Sequence, residues 1–376
     1  MRPVDHMGKK KRLVISAVNC VEGGILSVMQ DCVSSACREY GEDWDIVVLA
    51  NSRKLLPETT ATVLEFPQVK KSWLARLKHE WIHFFELSKR LDVDVWLSLH
   101  DISARVCARK RVVYCHNPNP FYPLRLRDAF YNWKFAAFSL FYGKLYAVNI
   151  QSNDHVVVQQ DWLRREFVRR YNLSNVIVAH PEGEPWPAVG RGAILAPPGD
   201  RKTRFCYPFV PRFFKNAEVI CDAARILRED NYENFEIVLT IDGSESKYAK
   251  RIRRTYGDLT NISFVGRLNR EQVFDLYRSS DCLVFASRLE TWGLPISEFK
   301  ATGRSMLIAD MPYARETVGD YPSVELFNAD DARQLARLML KVMTGAFAPA
   351  PSSYSVKVPE PYAENWSALW AMILES

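Results

Sequence analysis

Across residues 203–345, short apolar runs alternate with amphipathic helical patterns, and this alternation limits the possible folds more than any other feature of the chain. Runs at 204–209, 235–241, 262–265, 283–286 and 306–309 have the length and apolar density of strands buried on both faces. Helical patterns follow at about 215–229, 245–256, 270–279, 294–302 and 329–344. Five such repeats predict an α/β domain with a doubly wound parallel sheet. The first half has the same texture, with strands expected at 12–18, 45–50, 62–66, 94–99, 111–115, 155–160 and 175–179. Helices are expected at 25–39 and 161–171, a long helix-like segment at 69–91, and a strongly aromatic one at 123–149. Residues 181–200 hold five prolines and read as a linker. The 376 residues therefore divide into two Rossmann-like domains, 1–185 and 186–358. A last helix over 359–376 is expected to pack back on the first of them.

Composition narrows the class. Apolar content of 48% and charged content of 25% are those of a soluble globular protein. No apolar run reaches the roughly 18 to 20 residues that span a bilayer. The basic cluster Lys9 to Arg12 leads into the first strand and does not read as a signal peptide. Eight cysteines lie scattered with no C-x-x-C pair, which favours a reducing cytoplasm over a disulfide scaffold or zinc knuckle. The net charge of +6 is uneven: residues 1–180 hold 26 Lys and Arg against 18 Asp and Glu. Such an excess suits an anionic partner on that half, although charge runs are more often solvated faces.

Candidate site residues cluster at strand ends. In open parallel sheets, ligands bind beyond the carboxyl ends of the strands. There the second half offers Arg212 and Lys215, then Gly266-Arg267-Leu268, then Glu290 and Glu298 across a strand–loop–helix joint. The two cations suit a diphosphate, one as a planar fork and one as a point charge. Carboxylates suit hydroxyls, and the loop Thr291-Trp292-Gly293-Leu294 aims a helix start at the same place. In the first half, Gly23-Gly24 follows the first strand, and His100 and His116 end two later ones. The full G-x-G-x-x-G dinucleotide fingerprint is absent.

The pieces Arg212-x-x-Lys215-Asn216, Ile241-Asp-Gly-Ser244, Asn261-Ile-Ser-Phe-Val-Gly-Arg267 and Glu290-Thr-Trp-Gly-Leu-Pro-Ile-Ser-Glu298 make residues 203–345 resemble a known donor domain. It is that of the retaining GT-B-fold glycosyltransferases of family 4. The resemblance implies two Rossmann-like domains facing across a cleft, with an acceptor-side domain first and a nucleotide-sugar domain second. It implies that Arg212 and Lys215 hold the donor diphosphate, Glu290 the transferred sugar and Glu298 the ribose. Residues 291–294 and 266–268 would line the sugar-phosphate and the base. His100, in Ser-Leu-His-Asp, matches the first-domain histidine that the family places beside the sugar, with His116 and Gly23-Gly24 nearby. No metal and no cofactor are implied beyond a GDP- or UDP-linked sugar. The stretches Val113-Tyr-Cys-His-Asn-Pro-Asn-Pro-Phe-Tyr122 and Tyr207-Pro-Phe-Val-Pro-Arg-Phe-Phe-Lys-Asn216 look most like bacterial surface-polysaccharide or O-antigen transferases. Those move mannose-like or rhamnose-like hexoses to lipid-diphosphate-linked or polysaccharide acceptors.

Rival readings have weaker support. Asp92-Val-Asp94 spells the motif of metal-dependent transferases but precedes its strand instead of following it. A sugar-nucleotide epimerase shares the architecture, and a non-catalytic scaffold of a polysaccharide assembly complex would not need all four of Arg212, Lys215, Glu290 and Glu298. No nucleic-acid motif accompanies the basic excess. The basic aromatic segments 69–91 and 123–149 fit peripheral contact with an anionic membrane, which for a cytoplasmic enzyme is the inner face of the plasma membrane.

Overall fold

The computed structural model describes residues 10–122, 133–181, 201–348, 354 and 356–375. The chain divides into two compact units, Met1–Glu182 with Val358–Ser376, and Gly183–Lys357. Most of the expected linker, 182–200, and the start of the aromatic segment, 123–132, lie outside the described residues.

In the first unit the strands are β1 (Lys11–Ala17), β2 (Trp44–Ala50), β3 (Thr62–Glu65), β4 (Val93–Ser98), β5 (Ala108–Cys115), β6 (His155–Val158) and β7 (Val176–Ala179). All pair in parallel, in the order β7-β6-β5-β4-β1-β2-β3. Leu13, Val14, Ile15 and Ala17 of β1 are fully buried, as are Val156, Val157 and Val158 of β6. Apolar residues on successive positions require cover on both faces, and that requirement selects a parallel sheet flanked by helices.

The chain's last residues differ from a single helix. Tyr362–Ala363 first adds a short parallel strand to β7, and helix Trp366–Trp370 follows, capped by Asn365, whose Oδ1 accepts from Ala368 N at 2.8 Å. Trp366, Leu369 and Trp370 then pack in the core that contains Val28, Met29 and Cys32 of helix Gly24–Tyr40. A two-residue strand has no periodicity, so pattern alone does not reveal it. The expected segment 69–91 is also not one helix. Ser72 is extended and caps helix Trp73–Lys78 through Oγ, which accepts from Ala75 N at 3.1 Å. The winding widens to a π-helix over His79–His83 before helix Phe84–Leu91.

The second unit holds β8 (Thr203–Tyr207), β9 (Phe235–Leu239), β10 (Ile262–Phe264), β11 (Cys282–Phe285), β12 (Ser305–Ala309) and β13 (Val324–Phe327). The order is β10-β9-β8-β11-β12-β13, again all parallel, so one strand more than the five expected completes the Rossmann arrangement. Each sheet reverses its winding once, between β1 and β4 and between β8 and β11. Connections leave on opposite faces at such a point and open a crevice beyond the carboxyl ends of the two strands.

Candidate functional site

The crevice between β8 and β11 receives two of the candidate residues directly. Beyond β8 the chain runs to a short turn, Phe213–Lys215, that the rest of the unit holds in place. The buried Tyr207 hydroxyl donates to Lys215 O at 2.8 Å, and Arg288 N donates to Phe214 O at 2.7 Å. Asn216, at φ 57°, donates from Nδ2 to Ala329 O at 2.8 Å and Ala286 O at 3.3 Å, tying the turn to the loops after β13 and β11. Asparagine tolerates that left-handed backbone better than most residues. So fixed, Lys215 Nζ forms an ion pair with Glu290 Oε1, with the two side chains 17% and 15% exposed. Nζ also lies 5.9 Å from the Phe285 ring centre. Arg212, at the mouth of the same turn, is exposed and has no ion-pair partner among the described residues.

The joint after β11 places the rest. Gly293 has φ +90°, a conformation that favours glycine, and a Cβ there would lie 3.2 Å from Ile296 Cδ1. Trp292 is held by its indole, which donates to Ser297 Oγ at 2.8 Å, and by its carbonyl, which accepts from Thr317 Oγ1. Thr291 and Leu294 are half-buried on either side of this pair. Helix Leu294–Lys300 then turns Glu298 inward. Its carboxylate, 4% exposed, accepts from Arg270 Nη1 at 2.7 Å and Tyr277 Oη at 2.8 Å.

Arg270 was not among the sequence candidates. Its position is set by a capping box: Asn269 Oδ1 accepts from Gln272 N and Gln272 Oε1 from Asn269 N, both at 2.9 Å. The Asn-x-x-Gln spacing was visible in the sequence, but the side chain that its first turn presents to Glu298 was not. Beyond β10, Gly266 has φ +74°, and a Cβ would stand 3.1 Å from Asp242 Oδ2, so the turns after β9 and β10 meet here. Arg267 is exposed beside it and Leu268 half-buried.

The first unit has its own cluster at the β1–β4 crevice. Gly23, at φ +66°, precedes helix Gly24–Tyr40 and both glycines are exposed. His100 is 2% exposed. Its Nδ1 lies 3.2 Å from Arg76 Nη2, and its Nε2 lies 3.3 Å from Ser16 Oγ and 3.2 Å from Glu80 Oε1. Arg76 Nη2 also donates to His100 O at 2.6 Å. Burial, and then the Arg76 charge, hold the imidazole well below the ordinary histidine range. Burial pushes the Glu80 carboxyl up to about 8. His116 Nε2 lies 3.0 Å from Leu99 O, and burial lowers its pKa as well. Asp101, itself at φ 74°, sets that loop: its carboxylate accepts from His116 N, Asn117 N, Tyr142 Oη and Tyr146 Oη at 2.6 to 3.0 Å. Arg76, Glu80 and Asp101 were likewise missed as site residues, since a helix pattern and a strand-end loop do not show that their side chains converge.

Among the described residues no group of three or more His, Cys, Asp or Glu is placed to hold a metal. Asp94 of the Asp-x-Asp sequence accepts from Arg12 N at 2.8 Å and pairs with Arg109, at the start of β4 and the opposite end from His100.

Residues 193–354 match the family model described as glycosyl transferases group 1. No curated protein matches the sequence. Among solved structures, the chain is similar to a glycosyltransferase from Rickettsia africae ESF-5 (TM-score 0.63, 14% identity, 90% of each chain covered). It is similar to the lipopolysaccharide outer core galactosyltransferase WaaB (TM-score 0.61, 15% identity, 90% of this chain and 91% of that one). It is also similar to a sucrose-phosphate synthase from Thermosynechococcus elongatus (TM-score 0.63, 13% identity, 97% and 95% covered). At these identities the likeness establishes the GT-B fold, and the family-model match falls within the second unit.

Proposed function

We propose, on the premise of a group 1 glycosyl transferase domain over 193–354, that this protein is a retaining glycosyltransferase of family 4 using a nucleoside-diphosphate sugar. The observation that carries the reading is the Lys215–Glu290 pair at the β8–β11 crevice, with the exposed Arg212 at the start of the same turn. A diphosphate entering there draws Lys215 and Arg212 to its oxygens and frees Glu290 to accept from sugar hydroxyls. Glu298, steadied by Arg270 and Tyr277, accepts from the ribose. The backbone of Gly266, Arg267 and Leu268 faces the base, and residues 291–294 face the sugar-phosphate. Such a site needs no metal, because the two cations neutralise the leaving group.

In the reaction, the bond from the anomeric carbon to the phosphate oxygen breaks, and its electron pair leaves with the diphosphate. The acceptor hydroxyl attacks from the same face and passes its proton to a departing phosphate oxygen, so configuration is retained. Fixed cations aimed at the charge that develops are the largest source of rate in this kind of site. Gly23, Gly24, His100 and His116 form the crevice of the first unit, which we assign to the acceptor and to the transfer step. The acceptor class we favour is a lipid-diphosphate-linked glycan of a bacterial surface polysaccharide such as O-antigen, receiving a hexose of mannose or rhamnose type. The lipopolysaccharide outer core galactosyltransferase among the similar structures supports the broader reading of a bacterial surface-glycan acceptor.

Incubation with a panel of GDP- and UDP-sugars and diphosphate-lipid acceptors tests this reading. Nucleoside diphosphate should appear only with an acceptor present, and the product's anomeric configuration by NMR should equal the donor's. An inverted product, or free epimerised nucleotide sugar formed without acceptor, would overturn it.

The membrane reading gains support from one face of the first unit. Trp73 lies 5.8 Å from Tyr142 and 6.3 Å from Phe138, centre to centre, so helices Trp73–Lys78 and Trp133–Ala147 are neighbours. Leu74, Leu140 and Phe141 stand 80%, 68% and 50% exposed there, and Lys70, Lys71, Lys78 and Lys144 are exposed on the same two segments. No helix among the described residues is long and apolar enough to cross a membrane. A cytoplasmic enzyme held on the inner face of the plasma membrane fits this surface. Liposomes of anionic lipid should retain the protein at low salt and release Leu74→Glu/Phe141→Glu. Equal retention of the variant, or none of the wild type, would contradict it.

A further inference from the structure

We propose that Arg76 and Glu80 are positioning residues that lock His100 in its neutral Nε2–H tautomer, so that His100 acts as a fixed hydrogen-bonding group and not as a proton-transfer acid or base. The role of His100 in transfer rests on the function proposed above; the tautomer lock stands on geometry alone.

Arg76 and Glu80 are four residues apart, on one face of the segment that widens into the π-helix His79–His83. Both are buried, at 5% and 0% exposure, a rare state for charged residues without a specific task. Arginine is only a donor and keeps its charge at any working pH. With Arg76 Nη2 at 3.2 Å, Nδ1 must therefore be the bare, accepting nitrogen, and the ring proton must sit on Nε2. That proton has Ser16 Oγ at 3.3 Å as its hydrogen-bond partner, and Glu80 Oε1 stands 3.2 Å from the same nitrogen, within ion-pair distance. Among the described residues neither carboxyl oxygen of Glu80 has a hydrogen-bond partner, although both are buried, so the carboxyl acts on the ring through its closeness to Nε2.

The arrangement persists over a wide pH range. An ionised Glu80 favours a proton on the facing Nε2, and a protonated one leaves that proton to Ser16 Oγ. A second proton on the ring would have to enter at Nδ1, against the Arg76 guanidinium. The other groups facing the cluster change little. Burial pushes the Cys20 thiol, beyond β1, up to about 12, and the nearby His116, beyond β5, is held below its ordinary range. Asp101 is engaged by its four donors. A histidine acting as a general base needs a bare nitrogen open to the substrate, and here the bare nitrogen is covered.

Long-range proton–nitrogen NMR of the full chain, with ¹⁵N-histidine and with His100→Gln to assign the signal, tests the lock without any donor or acceptor. The wild type should show a bare Nδ1 and a protonated Nε2 on His100, with no titration between about pH 5.5 and about pH 8.5. Arg76→Met should uncover Nδ1 and restore titration within that window. Glu80→Gln should keep the Nε2–H tautomer, because Arg76 still faces Nδ1 and Ser16 Oγ still faces Nε2. An imidazolium forming in the wild type within the window, or an Nδ1–H tautomer, would overturn the proposal, and the wild-type spectrum decides even if Arg76→Met does not fold. A locked His100 in a protein that transfers no sugar would instead count against the function and leave the lock standing.

Discussion

Lys215→Ala should lower sugar transfer by about two to three orders of magnitude, the range seen when one preorganised group facing the developing charge is removed. The structure separates this loss from a folding defect. Lys215 and Glu290 neutralise each other in a largely buried pair, so removing the lysine leaves a half-buried carboxylate unpaired. An orphaned polar group of this kind costs about 1 to 3 kcal/mol. Lys215→Ala should therefore also lower the unfolding midpoint, and Lys215→Ala/Glu290→Ala should recover most of that stability without recovering turnover. If the double variant regained activity along with stability, the pair would be a structural tie and not the phosphate and sugar contacts assigned to it. Steady-state kinetics and urea unfolding of the three proteins settle the point.

Glu80→Gln should behave in the opposite sense and stabilise the protein, increasingly so as pH rises. The Glu80 carboxyl is raised from an ordinary 4.5 to about 8 because burial penalises its charged form. Between those values the folded protein holds a proton that the unfolded chain releases. The wild type thus loses stability as pH rises from about 4.5 to about 8 and levels off above. Glutamine has the same shape and no proton to lose, so its advantage grows through that window. A shift of this size corresponds to several kcal/mol, at about 1.4 kcal/mol per unit. Urea unfolding near pH 5 and near pH 8.5 measures it. A stability difference between variant and wild type that stays constant with pH would show that Glu80 ionises freely in the folded protein.

The two substitutions mark where sequence reading succeeded and where it stopped. Most strands of both sheets were legible because the central ones are buried on both faces, so continuous apolar runs such as residues 283–286 needed no partner to be recognised, whereas the partly buried edge strand β13 was missed. Arg212, Lys215, Glu290 and Glu298 were legible because strand ends place them at one edge. Strand order was not legible, since it depends on pairings such as Cys282 with Phe205, far apart in the chain. The Arg76–Glu80–His100 cluster was hidden for a related reason. In the pattern of 69–91, Arg76 was one of several interleaved basic residues and Glu80 carried no signal of its own, and only packing on the β1–β4 crevice turns them inward. Arg270 was missed because its cap was readable but its target, Glu298, was not.

The second unit's site makes one claim that calorimetry can test without knowing the acceptor. Titration with UDP and with GDP should reveal binding of one or both, and the preferred nucleotide should bind Lys215→Ala at least tenfold more weakly, a loss of about 1.4 kcal/mol or more. If neither diphosphate binds the wild type, or if the lysine can be removed without loss of affinity, the β8–β11 crevice is not a nucleotide-sugar site.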